Sequence, residues 1–490
     1  MTDLPVRKTT TSVAAKAQRL IAVDATRGVA LLGMMAVHSL YESNPDGSPT
    51  LSFAIFGGRA AATFAVLAGV GIAFMTGRKR VPLRSGPAVA TGLLVRALVI
   101  GAIGLFMGYA DARLAAVILP YYAVLFVLAI PLVFMPTWLV AVVGVAAAGG
   151  VPVLTHLWLP HLAVPSLDNP EFIDVIRHPV TILTELTITG EYPALSWLAY
   201  ACAGIVVGRL SLQKIRVAVS LLGTGIVLAA GAAYASWVLL HQYGGLSQIW
   251  MAQPGSVWTA AETSEVLSLG ADGTVPSSTW WWLAVDSPHT GTTPDMVGTI
   301  GAAMALLGAM LLLGHVGLGY LRPVIRVLMA PLAAAGGMTL TFYTAHIWFL
   351  NSDYDVYSAG VGYTLQVIAV LAIGLAWRAT AGKGPLETLT SALSGRSRRW
   401  VADRLARPRK PRPAPVSPAV VPRPSDDATE LIPLPVVDAA TAQRFDPEMT
   451  MELPALRFVS AVATAEETTM EMPAIRSEYL LDIFDEKPKE

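Results

Sequence analysis

Apolar runs alternate with short polar connections between residues 20 and 381 of the chain. A helix needs about 20 apolar residues to cross the hydrocarbon core of a bilayer, and most of these runs approach that length. We therefore predict an all-α protein, a polytopic membrane helix bundle of about ten spans. The predicted spans lie near residues 20–40, 53–76, 88–110, 113–134, 137–158, 193–209, 217–240, 296–319, 324–350 and 361–381.

The composition agrees with a membrane protein and excludes an ordinary soluble one. Of the 490 residues, 54% are hydrophobic and only 14% are charged, and the mean hydropathy is +0.56. The single cysteine, Cys202, lies in an apolar run, which excludes a disulfide within the chain. The first apolar run contains charges and is followed by further runs, so we expect an uncleaved helix rather than a signal peptide.

Basic residues mark one side of the predicted bundle. Three short connections are rich in lysine and arginine, and they alternate with connections that are nearly free of both. By the positive-inside rule, the basic connections and both termini are cytoplasmic, and we expect a multi-pass protein of the plasma membrane. The residues that set this orientation are Arg78, Lys79, Arg80, Arg84, Arg209, Lys214, Arg216, Arg322 and Arg326.

The composition also divides the chain into four parts. Residues 1–18 are polar and basic and are expected to be a disordered cytoplasmic segment, and residues 19–390 form the predicted transmembrane domain. Residues 391–412 are a basic juxtamembrane segment suited to an anionic membrane lipid surface, and residues 413–490 are expected to be a disordered cytoplasmic tail. We expect no nucleic-acid partner, and the sequence leaves a homo-oligomer open.

The first predicted helix carries three polar residues that the bilayer makes costly. Asp24, Arg27 and His38 fall within about 60° of one another on a helix that turns 100° per residue. The acid–base pair and the imidazole are ~17–21 Å apart along the axis. Charged groups at bilayer depth seldom face lipid, so this face predicts a polar site that runs through the membrane.

Each of these residues also has a structural interpretation. Asp24 and Arg27 are three residues apart and can form an ion pair that lowers the free energy of burial, and the guanidinium of Arg27 could instead hold a phosphate. His38 could hydrogen-bond a neighbouring helix, or it could accept a proton from an attacking hydroxyl or amine. Arg59 could be an interfacial residue or the ligand of an oxyanion. His289 is a second polar candidate on the outer side, whereas a structural role is favoured for His346.

Several stretches together resemble one family. RLIAVDATRGVALLGMMAVH resembles the opening of the transmembrane acyltransferases related to heparan-alpha-glucosaminide N-acetyltransferase, and FGGRAAATFAVLAGVGIAF resembles their next helix in actinobacterial members. Bacterial relatives are similar, in the same order, to ILPYYAVLFVLAIPL, TGEYPALSWLAYACAGIVVGRL, SPHTGTTPDMVGTIGAA, GGMTLTFYTAHI and GPLE. The resemblance covers about residues 19–390.

The resemblance implies an acyltransferase that takes an acyl group, acetyl above all, from cytoplasmic acyl-CoA to a sugar on the far side. Asp24 and Arg27 match the opening motif, where the donor would bind, and His38 matches the polar position that ends that helix. The human-type enzymes carry a further histidine in the following loop, and residues 41–52 here have none. The acid–base role therefore falls to His38 or His289, Arg59 would stabilise the oxyanion, and no metal is implied.

A second function stays open from the residues alone, because intramembrane charges mark transport pathways as readily as active sites. This alternative is a transporter or flippase of a lipid-linked cell-envelope intermediate. The acyltransferase differs from it in releasing free CoA when an acceptor sugar or glycolipid is present.

The tail contains three near-copies of one short pattern, an acid, a threonine and a proline at fixed spacing, around Thr429, Thr450 and Thr469. Biased composition can produce such repeats. The fixed spacing instead favours phosphorylation sites, since the pattern resembles the preference of bacterial transmembrane Ser/Thr kinases. Phosphate there would add about −1.5 to −2 charges per site and would attract an arginine-lined phosphothreonine-binding domain.

Overall fold

A computed structural model of the protein describes residues 9–166, 168–256, 258–315 and 321–406. The chain divides into two units, Met1–Lys410 and Pro411–Glu490, and all that follows concerns the first. The phosphorylation candidates Thr429, Thr450 and Thr469 lie outside the described residues, so their modification stays a prediction.

The described residues are almost wholly helical, which confirms the predicted all-α class. The α-helices are α1 (Thr9–Ser39), α2 (Leu51–Phe56), α3 (Arg59–Met75), α4 (Gly86–Met107), α5 (Leu119–Leu132), α6 (Thr137–Trp158), α7 (Phe172–Arg177), α8 (Pro179–Thr184), α9 (Ala194–Arg209), α10 (Ile215–Trp237), α11 (Gly245–Ala252), α12 (Ala260–Ser268), α13 (Thr293–His315), α14 (Leu321–Gly336), α15 (Thr339–Leu350), α16 (Ala359–Thr380) and α17 (Pro385–Ala406).

Helices lie at all ten predicted positions, but fewer than ten are long enough to span a membrane alone. Among the described residues, seven helical segments have the required length and apolarity, or eight if the bent pair α14 and α15 counts as one span. The other two, α5 and α9, are apolar but contain only 14 and 16 residues. The chain is thus a multi-pass membrane protein with seven to eight candidate spans among these residues.

Basic side chains meet at one end of the bundle, where they donate hydrogen bonds to backbone carbonyls at the ends of neighbouring helices. We call this the basic end, and its contacts are Arg78 to Gly208, Arg80 to Phe134, Arg209 to Met135 and Arg398 to Met75. The long connections at residues 159–193 and 238–292 lie at the opposite end, which we call the loop end. There the His156 ring lies 4.5 Å from that of Trp280.

The predicted span at residues 324–350 is two helices, α14 and α15, which meet at an angle of 73°. The break falls at Gly337 and Met338, and α15 begins with backbone N–H groups that have no partner within the helix. Glu387 supplies that partner, because one carboxylate oxygen accepts from the N–H groups of Leu340 and Thr341 at 2.7 and 3.1 Å. A carboxylate at a helix N-terminus also interacts favourably with the helix dipole.

Glu387 lies in the first turn of α17, which packs along α4 at the basic end. The predicted domain boundary between residues 390 and 391 falls inside this helix, so residues 391–406 of the basic juxtamembrane segment continue the helix that begins in the predicted transmembrane domain. The packing is close, since Gly92 of α4 lies against Ser394 and Arg398 of α17.

Candidate functional site

A cavity of about 500 Å³ opens at the loop end of α1. A volume of this size is typical of sites that hold small molecules. Its wall combines residues from the end of α1, the connections after α1, α4 and α8, and the long connection before α13. Its polar lining includes Tyr41, Glu42, His38, Arg113, Glu191, Tyr192, Glu265, Asp272, His289 and Tyr343. The two histidines predicted from the sequence therefore line the same cavity.

His38 is held by a short chain of hydrogen bonds that crosses three helices. Its Nδ1 lies 3.3 Å from Nε2 of His346 on α15, and the two rings are nearly parallel with centroids 5.4 Å apart. Nδ1 of His346 lies 2.6 Å from Oε1 of Gln366 on α16. His346 is 3% exposed, so it is buried as predicted, but it lies beside the candidate base.

His289 reaches the cavity from the connection before α13 through an unusual backbone conformation. Its φ is +55°, in the left-handed region that few non-glycine residues adopt. Its ring makes an edge contact with Tyr192 at 5.3 Å. Burial lowers the pKa of His289 to about 4, so the imidazole is neutral at physiological pH and has a lone pair available.

The cavity wall is acidic. Arg113 is the cationic group among the described lining residues, and its Nε lies 3.6 Å from Asp111. The pKa of Glu191 is raised to about 7, mainly by burial and to a smaller extent by charge repulsion from Asp272 and Glu42. Burial also raises the pKa values of Asp272 and Glu42. Such a wall disfavours an anionic ligand and suits hydroxyl or amino groups.

A second cavity, of about 350 Å³, lies at the basic end of the same helix. Nη1 of Arg27 donates to a carboxylate oxygen of Asp24 at 3.1 Å, as the spacing predicted. Three more cationic residues line this cavity, and the carboxylate of Glu387 partly offsets them. The cationic lining consists of Arg27, Arg96, Arg378 and Lys383.

An apolar cavity of about 530 Å³ lies between the other two and shares lining residues with both. It shares Arg27, Arg96, Lys383 and Glu387 with the basic-end cavity. At its other end it shares Met34, Ile118 and Tyr343 with the loop-end cavity, and we call these three residues the partition. The Tyr343 hydroxyl accepts a hydrogen bond from the backbone N–H of Ile118 at 3.2 Å, which joins two parts of the partition.

The irregular backbone before α5 forms part of the loop-end wall. Asn169 is 6% exposed and satisfies the polar groups of this segment. Its side-chain amide donates to the carbonyls of Ala110 and Ala115, and its oxygen accepts from the N–H of Val117 at 2.7 Å. Unpaired backbone groups would be costly at this depth, so Asn169 explains how a non-helical segment can border the cavity.

Arg59 does not reach any of these cavities. It begins α3 at the loop end, its side chain is exposed, and its Nη1 donates to the carbonyl of Ala54 at 2.6 Å. The described lining residues of the three cavities do not include it. The role of oxyanion donor predicted for Arg59 therefore has no support in this geometry.

The sequence interpretation missed several residues of the site. Arg96 lines the basic-end and apolar cavities, and Gln366 lies beside His346. Each is a strongly polar residue within an otherwise apolar stretch of α4 or α16, a signal that could have identified it. Glu191 and Asp272 lie in connections, where an acid is ordinary and gives no such signal.

One comparison with known protein families finds a match. Residues 19–241 match the family model described as heparan-alpha-glucosaminide N-acetyltransferase, catalytic. A comparison with curated proteins finds no match. The matched range includes Asp24, Arg27 and His38, and it ends before His289, His346 and Gln366.

Proposed function

We propose that this chain is a member of the family of transmembrane acyltransferases related to heparan-alpha-glucosaminide N-acetyltransferase, whose model matches residues 19–241. As such, it would pass an acetyl or other small acyl group from cytoplasmic acyl-CoA to a glycan or glycolipid outside the cytoplasm. The observation that carries this proposal is the row of three cavities along α1, from Asp24 and Arg27 at the basic end to His38 at the loop end.

The basic-end cavity and the apolar cavity suit the two chemical parts of acyl-CoA. CoA combines a phosphate-rich nucleotide with a long pantetheine arm of low charge. The cationic lining formed by Arg27, Arg96, Arg378 and Lys383 would bind the phosphates, since guanidinium groups pair well with phosphate oxygens. The apolar cavity would hold the arm, with the thioester at the partition.

The loop-end cavity would hold the acceptor. Its acidic wall supports an acceptor whose reacting region carries hydroxyl or amino groups and no phosphate. A sugar fits this description, and a glycan is what the family description names. The tryptophans and tyrosines exposed near the loop end suit the membrane interface, where a glycolipid would present its sugar.

The chemical step needs a base on the acceptor side of the partition. Nε2 of His38 accepts the proton of the acceptor O–H or N–H as the acceptor atom forms its bond to the thioester carbon. The carbon–sulfur bond then breaks, and the sulfur leaves as a thiolate that takes the proton from His38 to give free CoA. His289 lines the same cavity and is the alternative base.

Purified protein in proteoliposomes tests the assignment. We expect His38→Ala to lower kcat for acyl transfer by at least about 100-fold, because general base catalysis typically contributes 10²–10⁴. His161→Ala, an exposed histidine at the loop end, is the matched control and should keep wild-type turnover. Normal insertion with near-normal turnover of His38→Ala would exclude His38 as the base, and the same test on His289→Ala would then follow.

CoA release separates this proposal from the transporter or flippase. The row of cavities could also carry a lipid-linked intermediate, so the alternative has some support in the same geometry. Free CoA that appears only when both acyl-CoA and an acceptor sugar are present supports the acyltransferase. Movement of the acceptor across the bilayer without thioester cleavage supports the transporter.

A further inference from the structure

The candidate base His38 begins a row of hydrogen-bonded side chains, His38–His346–Gln366, which we call the His–His–Gln relay. His346 and Gln366 lie outside the part of the polypeptide that matches the family model. We propose that His346 and Gln366 are positioning residues that fix the tautomer of His38, so that Nε2 carries the lone pair at the cavity. The inference rests on the proposed role of His38 as the base, and it adds what sets the tautomer of its ring.

The tautomers follow from the order of donors and acceptors. Oε1 of Gln366 only accepts, so Nδ1 of His346, 2.6 Å away, must donate to it. With the imidazole neutral, Nε2 of His346 is then an acceptor, and Nδ1 of His38 at 3.3 Å must donate to it. His38 therefore keeps its proton on Nδ1. Its Nε2 is left as the basic nitrogen, in the way that an oriented partner sets the tautomer of a histidine in other catalytic sites.

Nε2 of His38 is free to act. It has no hydrogen-bond partner within the described residues, and the His38 side chain lines the loop-end cavity. Without the hydrogen bonds to His346 and Gln366, both tautomers of the neutral His38 imidazole would be populated. The fraction with a lone pair on Nε2 would then fall, and the ring could also turn about its Cα–Cβ bond.

The amide of Gln366 is only partly satisfied. Its Nε2 is buried and has no hydrogen-bond partner in the described part of the protein. A buried amide N–H without a partner destabilises the folded state. The bond that the other end of the same amide makes to His346 gives a reason for this cost, because an apolar residue of similar size would avoid it but could not accept from Nδ1.

Two further hydrogen bonds hold α1, α15 and α16 in place close to these three side chains. Tyr363 lies one turn before Gln366 on α16, and its hydroxyl donates to the carbonyl of Leu32 on α1 at 3.2 Å. The carboxylate of Glu387 fixes the start of α15 two turns before His346. Both contacts limit movement of the rings relative to one another.

Two substitutions of Gln366 distinguish a positioning role from a packing role. Glu keeps an oxygen that can accept from His346 Nδ1, whereas Leu fills the space but cannot accept. We expect Gln366→Leu to lower kcat about 10–100-fold with little change in the KM for acyl-CoA, and Gln366→Glu to retain most of the activity. A packing role predicts the opposite order, because a buried carboxylate is worse tolerated than leucine.

Gln248→Leu is the matched control. Gln248 is exposed on α11 at the loop end, so this variant should have wild-type kinetics. Higher activity of Gln366→Leu than of Gln366→Glu, or equal activity of Gln366→Leu and wild type, would overturn the proposal while leaving the acyltransferase assignment intact.

A spectroscopic measurement tests the tautomer of His38 even if no acyl transfer is found. In the full-length protein labelled with ¹⁵N-histidine in lipid bilayers, the His38 signals are identified by their loss in His38→Ala. We expect wild type to show a protonated Nδ1 and an unprotonated Nε2, and Gln366→Leu to show a mixture. A protonated Nε2 in wild type would overturn the inference. The expected tautomer in a protein without transfer activity would support the His–His–Gln relay and count against the proposed function only.

Discussion

Glu191 lies at the wall of the loop-end cavity with a carboxyl pKa near 7, well above the ordinary value of 4.5. Burial is the main cause, and the hydrogen bond with Tyr192 opposes it only in part. In the unfolded chain this group ionises at its ordinary value. Between these two pKa values the unfolded state has lost its proton and the folded state has not, so the free energy of unfolding falls as pH rises.

Glu191→Gln should remove this pH dependence. The wild-type contribution is fully present below pH 4.5 and is lost as the pH rises to about 7. Thermal unfolding in detergent at pH 5 and pH 8 is the measurement, and we expect Tm to fall less for Glu191→Gln than for wild type between the two. Asp353→Asn, at an exposed carboxylate of the loop end, is the control. An unchanged difference in Tm would contradict the raised pKa.

The sequence reveals some of these site residues and conceals others for a physical reason. Asp24, Arg27 and His38 stand out because a polar group within an apolar span needs a partner or a function. Glu191 and His289 belong to connections, and only the folded chain brings them to the end of α1. The link from His38 to His346 joins positions 308 residues apart, which no local pattern indicates.

At the scale of helices, α3 and α9 cross at a surface of small residues. Gly204 and Gly208 on α9 are spaced as in a GxxxG motif, and both face α3. A Cβ at position 204 would overlap the carbonyl of Val66 and lie 2.8 Å from Gly69 Cα, so even alanine would force the backbones apart. The close approach therefore requires glycine here.

Gly204→Ala is expected to destabilise the bundle by about 1–3 kcal/mol through this overpacking. Gly149→Ala in α6 is the matched control, because nothing lies within 4 Å of the added methyl group and alanine is the better helix former. Thermal unfolding of both variants in the same detergent gives the comparison. Equal stability of the two would show that α3 and α9 can move apart freely.

The positions of the helices could be predicted because apolar length is a local property of the sequence. The bend between α14 and α15 could not, since it depends on Glu387, which lies 46 residues beyond the Thr341 N–H that it accepts. The shortness of α5 has a similar origin. The predicted span begins at residue 113, but its first residues form the irregular segment before α5. Asn169 accepts a hydrogen bond from Val117 in that segment, although the two residues are 52 positions apart.

At the scale of the whole molecule, the predicted orientation places the basic end in the cytoplasm. The only cysteine, Cys202, is 0% exposed, so cysteines introduced elsewhere can be labelled without background. Asp46→Cys at the loop end should react with a membrane-impermeant maleimide in intact cells. Lys79→Cys at the basic end should react only after lysis. The reverse pattern would invert the orientation and, with it, the proposed direction of acyl transfer.

The partition formed by Met34, Ile118 and Tyr343 also bears on the ion permeability of the membrane. These residues line both the loop-end cavity and the apolar cavity, which approach them from opposite sides. They would therefore help to separate two compartments that hold different proton concentrations. Tyr343→Ala removes the ring and its bond to the Ile118 N–H. In proteoliposomes, we expect an imposed pH gradient to decay faster with Tyr343→Ala than with wild type or with Tyr354→Ala, an exposed tyrosine at the loop end. The partition would then have to let an acyl group pass without letting protons through. A wider opening would dissipate the cell's proton-motive force.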